Sequence, residues 1–200
     1  YHVFPRYAPG GFVGVDIFFV ISGYLISLIL FKSLENGRFT FREFYARRIR
    51  RLFPALLLVA GACYAFGWFA LLPDEFRQLG KHIAAGLGFV QNIVLWHEAG
   101  YFDAASAQKP LMHLWSLAIE EQFYLFYPLS IWLVWRSRLN VAACVAVLCA
   151  VSFLFSEREA GRNAAMAFFS PHTRFWELLL GALLAYTQMQ THTQALQQTP

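Results

Sequence analysis

Residues 52–72 read LFPALLLVAGACYAFGWFALL. The stretch carries no charge. At about 1.5 Å of rise per residue it is long enough to cross roughly 30 Å of hydrocarbon as a helix. Pro54 is expected in the first turn of that span, where a missing N–H costs little. The composition agrees. The 200-residue chain is 58% hydrophobic and only 14% charged, against about a quarter charged in soluble domains. So few charges cannot clothe a water-exposed surface. The sequence therefore predicts an all-α, polytopic transmembrane helix bundle.

RRIRR, residues 47–51, lies directly before this span. The excess of basic residues on cytoplasmic loops puts it inside, so 52–72 runs outward. An earlier span is expected from about Gly14 to Phe31, with Asp16 near its start. Later ones are expected at about Ile119–Trp135, Leu139–Phe155 and Phe175–Thr187, making about five. The run His82–Trp96 is short and holds Gly86, Gly88, Gln91 and Asn92. If it crossed, the basic WRSR at 135–138 would land outside. It is expected instead to re-enter or to lie at the interface. Residues 73–118, 156–174 and the start of the chain then share the extracytoplasmic face.

Other classes are disfavoured. The net charge of +4 is modest and concentrated in one cluster, and no nucleic-acid motif is present. Cys63, Cys144 and Cys149 lie in apolar runs and read as small buried residues. The histidines and cysteines show no metal-ligand spacing. The chain starts at Tyr1 and ends in the polar QMQTHTQALQQTP. It is expected to be a piece of a longer protein, one partial domain over 1–200 with no separate soluble domain.

The polar residues within apolar runs carry the chemistry. HLWSLAIEEQFY, residues 113–124, opens the third span. On a helix His113, Ser116, Glu120, Tyr124 and Tyr127 form one stripe, with Glu121 about 100° away. A carboxylate at membrane depth normally faces a protein interior or a wet cavity. The alternative is that these groups simply meet lipid headgroups. The stripe predicts that Glu120, rather than Glu121, faces a reaction cavity. RRIRR is either an anchor for anionic lipid or a site for a polyanion such as a nucleotide diphosphate. Asp16 either complements a helix dipole or holds a cation or an imidazole. Ser22–Gly23 reads as close helix packing, and Arg174–Glu177 as an i, i+3 pair.

Four segments, GGFVGVDIFFVISGYLIS, FYARRIRRLFPALLLV, MHLWSLAIEEQFYLFYPL and TRFWELLLGALLA, occur in this order. Together they resemble the membrane-bound acyltransferase-3 family, the bacterial O-acyltransferases of envelope polysaccharides and related glycans. The resemblance covers essentially the whole chain. It implies a multi-pass inner-membrane enzyme of about ten helices, of unknown oligomeric state. Such an enzyme moves an acyl group, commonly acetyl, from acyl-CoA to a hydroxyl of a glycan acceptor such as lipopolysaccharide. The family's essential histidine maps to His2, its RRxxR motif to Arg47, Arg48 and Arg51, and the glutamate of SLxxEEQFY to Glu120. An arginine about eleven residues before the histidine belongs to the pattern and has no counterpart here.

The expected mechanism takes His2 as general base and Glu120 or Asp16 as the carboxylate orienting it. Arg47, Arg48 and Arg51 hold the phosphates of the donor. His113, Ser116, Tyr124 and Arg174 are candidates for substrate contact, with Ser116 a less favoured acyl carrier. No metal is called for. A difficulty follows from the topology, because the arginines lie inside while His2 and Glu120 lie toward the outside. The rival readings are a transporter or flippase for a lipid-linked sugar, which needs no diphosphate clamp, and a non-catalytic sensor on the same fold.

Overall fold

The computed structural model describes residues 13–99 and 111–198, the last seven as helical backbone only. His2 lies outside the described residues. The described chain is helical: α1 (Val13–Glu35), α2 (Phe41–Ala70), α3 (Pro73–Leu87), α4 (Gln91–Glu98), α5 (Leu114–Arg136), α6 (Val141–Ala160), α7 (Ala164–Phe169) and α8 (Phe175–Gln198). A short 3₁₀ turn at Pro171–Thr173 leads into α8. Three helices, α1, α2 and α6, are long and apolar enough to cross a membrane. The helices α5 and α8 are as long as α1. However, Glu120, Glu121 and Arg136 interrupt α5, and the second half of α8 is polar.

The core is the meeting of α1, α8 and α5. Phe19, Leu30, Phe31, Ile119, Leu178 and Ala182 are fully buried there. The closest approach is between α1 and α8. A Cβ on Gly23 would stand 1.9 Å from the Leu178 carbonyl oxygen, and one on Gly181 would stand 2.0 Å from that of Val20. Only glycine lets the two backbones touch, the device by which membrane helices gain contact without a hydrophobic driving force. Ser22 meets Glu120 and Ser27 meets Tyr127, so α1 and α5 run in the same direction. Asp16 meets Arg174 and Phe31 meets Tyr186, so α8 runs that way too.

The helix α2 begins at Phe41, eleven residues before the apolar run starts. RRIRR is therefore inside a continuous helix, and Pro54 is interior to it rather than in a first turn. The charged segment extends the helix because Glu43 and Arg47 pair one turn apart at 2.9 Å. Arg48 meets Glu121, Tyr45 meets Leu125 and Phe41 meets Trp132, so α2 runs against α5. Leu57, Leu58, Phe66 and Phe69 point outward and are exposed. That is the expected surface of a helix facing lipid or further helices.

His82–Trp96 does not form one span. It divides into the end of α3 and the start of α4, with a break at Gly88–Val90. Phe89 takes φ 54°, a left-handed conformation uncommon for a bulky residue. The Gln122 side chain fixes it by donating to the Phe89 carbonyl at 2.7 Å. The tip of this bend packs against Phe53 of α2, ring centroids 5.9 Å apart. The chain leaves the far end of α2, returns along it to the level of Phe53, and turns.

Candidate active site

The two neighbouring glutamates of α5 enter different surroundings. Glu120 is 7% exposed. Its Oε1 accepts from Ser22 Oγ of α1 and from the Tyr124 hydroxyl one turn on, both at 2.5 Å. Ser27 Oγ and the Tyr127 hydroxyl lie 2.7 Å apart one to two turns further down the same seam. This part of the stripe is a polar seam between α1 and α5. A carboxylate beneath the surface is tolerable only when such donors replace its water.

Glu121 points the other way, toward α2. Arg48 Nη2 donates to Glu121 Oε1 at 2.9 Å, with side-chain exposures of 21% and 12%. The Arg48 guanidinium lies 3.4 Å over the centre of the Tyr124 ring. Beside it opens a cavity of about 620 Å³ between α2, α5 and the α3–α4 bend. Its walls are mainly apolar, with Leu52, Phe53, Phe89, Ile93, Leu125 and Phe126 among them. Glu121 lines this cavity and Glu120 does not, although Tyr124 of the helical stripe does. The stripe is real, but its inner part is taken up by α1.

Tyr124 joins the two halves. Its ring supports Arg48 and its hydroxyl donates to Glu120. The arginine motif and the buried acidic seam are thus one side chain apart. Along α5, Glu121 lies fifteen residues before Arg136, about 22 Å at 1.5 Å per residue. Arg48 reaches well into the bundle, which narrows the separation expected between arginines and glutamate.

The remaining candidates are dispersed. Arg47 is exposed and pairs with Glu43, and Arg51 is exposed. His113 occupies the residue before α5 and is exposed, and Ser116 Oγ donates back to its carbonyl at 3.2 Å. At the start of α8, Arg174 Nη1 donates to Asp16 Oδ1 at 2.8 Å and to Glu177 Oε1 at 2.6 Å. The rings of Phe168 and Trp115 lie 5.0 and 5.7 Å from its guanidinium. Asp16 is therefore held by Arg174, and Arg174 ties α8 to α1. Glu177 has a fully buried Oε2 without a hydrogen-bond partner. Sequence spacing identified it only as a helical pair. Its burial is set by α1, a partner the local pattern cannot show.

Two further polar groups were legible only as interruptions of an apolar run. Gln91 and Asn92 are fully buried. Asn92 Nδ2 donates to the Phe169 carbonyl at 3.0 Å, and Gln122 Nε2 donates to Asn92 Oδ1 at 2.9 Å. Gln91 Nε2 donates to His82 Nδ1 at 2.9 Å, leaving Nε2 of that ring to face Glu98 Oε2 at 3.4 Å. Together they fasten the α3–α4 bend to α5 and α7. Among the described residues, no group of three or more His, Cys, Asp or Glu could hold a metal.

The sequence profile of a family described as an acyltransferase domain, acyltransferase-3, matches residues 1–197. The chain belongs to the acyltransferase-3 family. It is 38% identical over 92% of its length to a Bacillus subtilis protein named as a candidate peptidoglycan O-acetyltransferase, YrhL, of which it covers 30%. It is 36% identical over 93% of its length to the peptidoglycan O-acetyltransferase OatA of Listeria monocytogenes, of which it covers 31%. An uncharacterized protein of Haemophilus influenzae is 34% identical over 86% of the chain and is covered to 73%. The chain spans about a third of the length of the two named relatives. No solved structure matches the chain. The acyltransferase-3 assignment rests on the whole chain, and nothing in these comparisons supports a transporter.

Proposed function

We propose that this chain forms the donor-binding part of a membrane O-acyltransferase. The enzyme moves an acyl group, acetyl in the simplest case, from acyl-CoA to a hydroxyl of a cell-envelope glycan. The observation that carries the reading is the contiguity of Arg48, Tyr124 and Glu120 beside a mostly apolar cavity. An acyl donor with a charged nucleotide and an uncharged acyl-pantetheine arm needs cations next to a pocket without net charge, and the acyl transfer needs a carboxylate nearby. The names of the YrhL and OatA relatives favour peptidoglycan as the acceptor class. The wider fold is read as five crossings of a roughly ten-helix bundle in the bacterial inner membrane: α1, α5 and α8 inward, α2 and α6 outward, and α3–α4 as the re-entrant element.

In this mechanism His2 removes the proton of the acceptor hydroxyl. Glu120 or Asp16 sets the imidazole tautomer and stabilises its positive charge. The alkoxide oxygen attacks the thioester carbonyl, the C–S bond breaks, and the CoA thiolate takes up the proton. Arg47, Arg48 and Arg51 hold the donor, while His113, Ser116, Tyr124 and Arg174 contact the substrates. The full-length protein in liposomes, given acetyl-labelled acetyl-CoA and glycan fragments, tests the reading. Label should appear on the glycan and disappear in His2→Ala. If label never leaves CoA for any hydroxyl acceptor, the reading fails.

A further inference from the structure

Resting on the acyl-CoA reading, we propose that the arginine motif divides its work. The cavity beside Arg48 takes the uncharged acyl-pantetheine end of the donor, and exposed Arg47 and Arg51 hold the phosphates outside it. Charge decides this. Arg48 and Glu121 are the charged groups among the described cavity residues, and they are paired at 2.9 Å. The cavity is already neutral. A phosphate brings roughly 1.5 to 2 negative charges. Beside Glu121, within apolar walls, it would meet repulsion and lose its hydration. A thioester carbonyl and the pantetheine amides meet neither cost.

The donors point the same way. The Tyr45 hydroxyl is committed to the Leu125 carbonyl at 2.7 Å, and the Gln122 amide to Phe89 and Asn92. Arg48 touches Glu121 through one terminal nitrogen, Nη2. A guanidinium has five N–H groups, so Arg48 retains donors for a neutral carbonyl oxygen. Stacking on Tyr124 fixes its plane. The volume of about 620 Å³ lies within the usual range for a small-molecule site.

Arg47 and Arg51 stand one turn apart on α2 and are both exposed. The pairing of Arg47 with Glu43 is itself at the surface, with side-chain exposures of 58% and 56%. Exposed pairs of this kind contribute little, so a diphosphate can displace Glu43. Two arginines at that spacing can grip a diphosphate with paired N–H groups.

The test measures binding to the intact membrane protein in nanodiscs by calorimetry. Acetyl-CoA is titrated into wild type first, and no binding there would sink the donor reading itself. With binding established, two halves of the donor are compared, S-acetylpantetheine and 3′-phospho-ADP. Arg48→Gln should weaken S-acetylpantetheine roughly tenfold, the loss expected for one hydrogen bond to a charged group, and leave 3′-phospho-ADP within about twofold. Arg47→Gln with Arg51→Gln should do the opposite. Arg48→Met with Glu121→Met removes both charges and guards against misfolding from an unpaired carboxylate. It should keep 3′-phospho-ADP and lose S-acetylpantetheine. If either Arg48 variant weakens 3′-phospho-ADP as much as S-acetylpantetheine, Arg48 is a phosphate ligand and the division is wrong.

Discussion

The helix α1 meets α8 differently from the way α2 meets α5. At the α1–α8 crossing, Gly23 and Gly181 let main chain touch main chain. At the α2–α5 contact, long side chains span the gap: Tyr45 to the Leu125 carbonyl, Arg48 to Glu121, Phe41 to Trp132. Backbone contact fixes two helices at one distance. Contact through side chains leaves space between them, and the cavity of about 620 Å³ lies in that space. The helix α5 lies between the rigid frame and the roomy joint: Glu120 turns to α1 and Glu121 to α2.

The sharpest way to break this contrast is to put a side chain where none fits. Gly181→Val should be the most damaging change considered, because its Cβ would fall on the Val20 carbonyl and the Tyr24 amide. A loss at or above about 3 kcal/mol is expected, the upper end for overpacking. Thermal unfolding in detergent should show it as a collapse of folded yield. Gly61→Ala on α2 meets nothing within 4 Å and is the control. It should be neutral or slightly stabilising, since alanine is the better helix former. Equal damage from the two would refute the distinction between frame and joint.

Next comes the seam. Glu120→Ala leaves the Ser22 and Tyr124 hydroxyls without their shared acceptor. A cost of about 1–3 kcal/mol is expected for such orphaned buried groups, together with a loss of acyl transfer in the full-length enzyme. Activity at the wild-type level with intact folding would remove Glu120 from the mechanism. Glu121→Ala should cost somewhat less, since Arg48 keeps partial access to the cavity and a ring beneath it. A double-mutant cycle with Arg48→Met measures the coupling directly. Additive effects would mean that the pair contributes nothing as a pair. The smallest effect belongs to Tyr45→Phe, which removes one bond to the Leu125 carbonyl. About 0.5–1.5 kcal/mol is expected, and a denaturant titration that shows no shift would argue that the Tyr45 bond adds nothing to the Arg48 and Phe41 contacts between α2 and α5.

Legibility followed the range of the interaction. The apolar run 52–72, the largely apolar Gly14–Phe31 stretch with Asp16 near its start, and the basic cluster are local signals; α1 covers the second, and α2 holds the cluster and the apolar run as far as Ala70. The run His82–Trp96 was legible as too short and interrupted to be an ordinary span, but its division between α3 and α4 was not. The start of α2 at Phe41 was not, because the Glu43–Arg47 pair extends a helix without adding hydrophobicity. Pro54 was placed in a first turn for the same reason. The helical stripe correctly grouped Glu120 with Tyr124, but the phase of one helix cannot say which neighbour stands opposite.

The sequence alone determined the class and the chemistry on offer: an all-helical membrane chain of the acyltransferase-3 kind, with arginines on one helix and paired glutamates on another. The helical class and the placing of those residues follow from composition and from spacing along single helices, and the acyltransferase-3 kind from the resemblance of four ordered segments; all of this the chain carries locally. Only the tertiary structure decided how those residues are shared out. Glu120 goes to Ser22 and the α1 seam, Glu121 to Arg48 and the cavity, and Asp16 to Arg174. Those assignments depend on helices 98, 73 and 158 residues apart in sequence. The close approach of α1 and α8 at Gly23 and Gly181 is likewise a tertiary feature, and no local pattern encodes which helices meet.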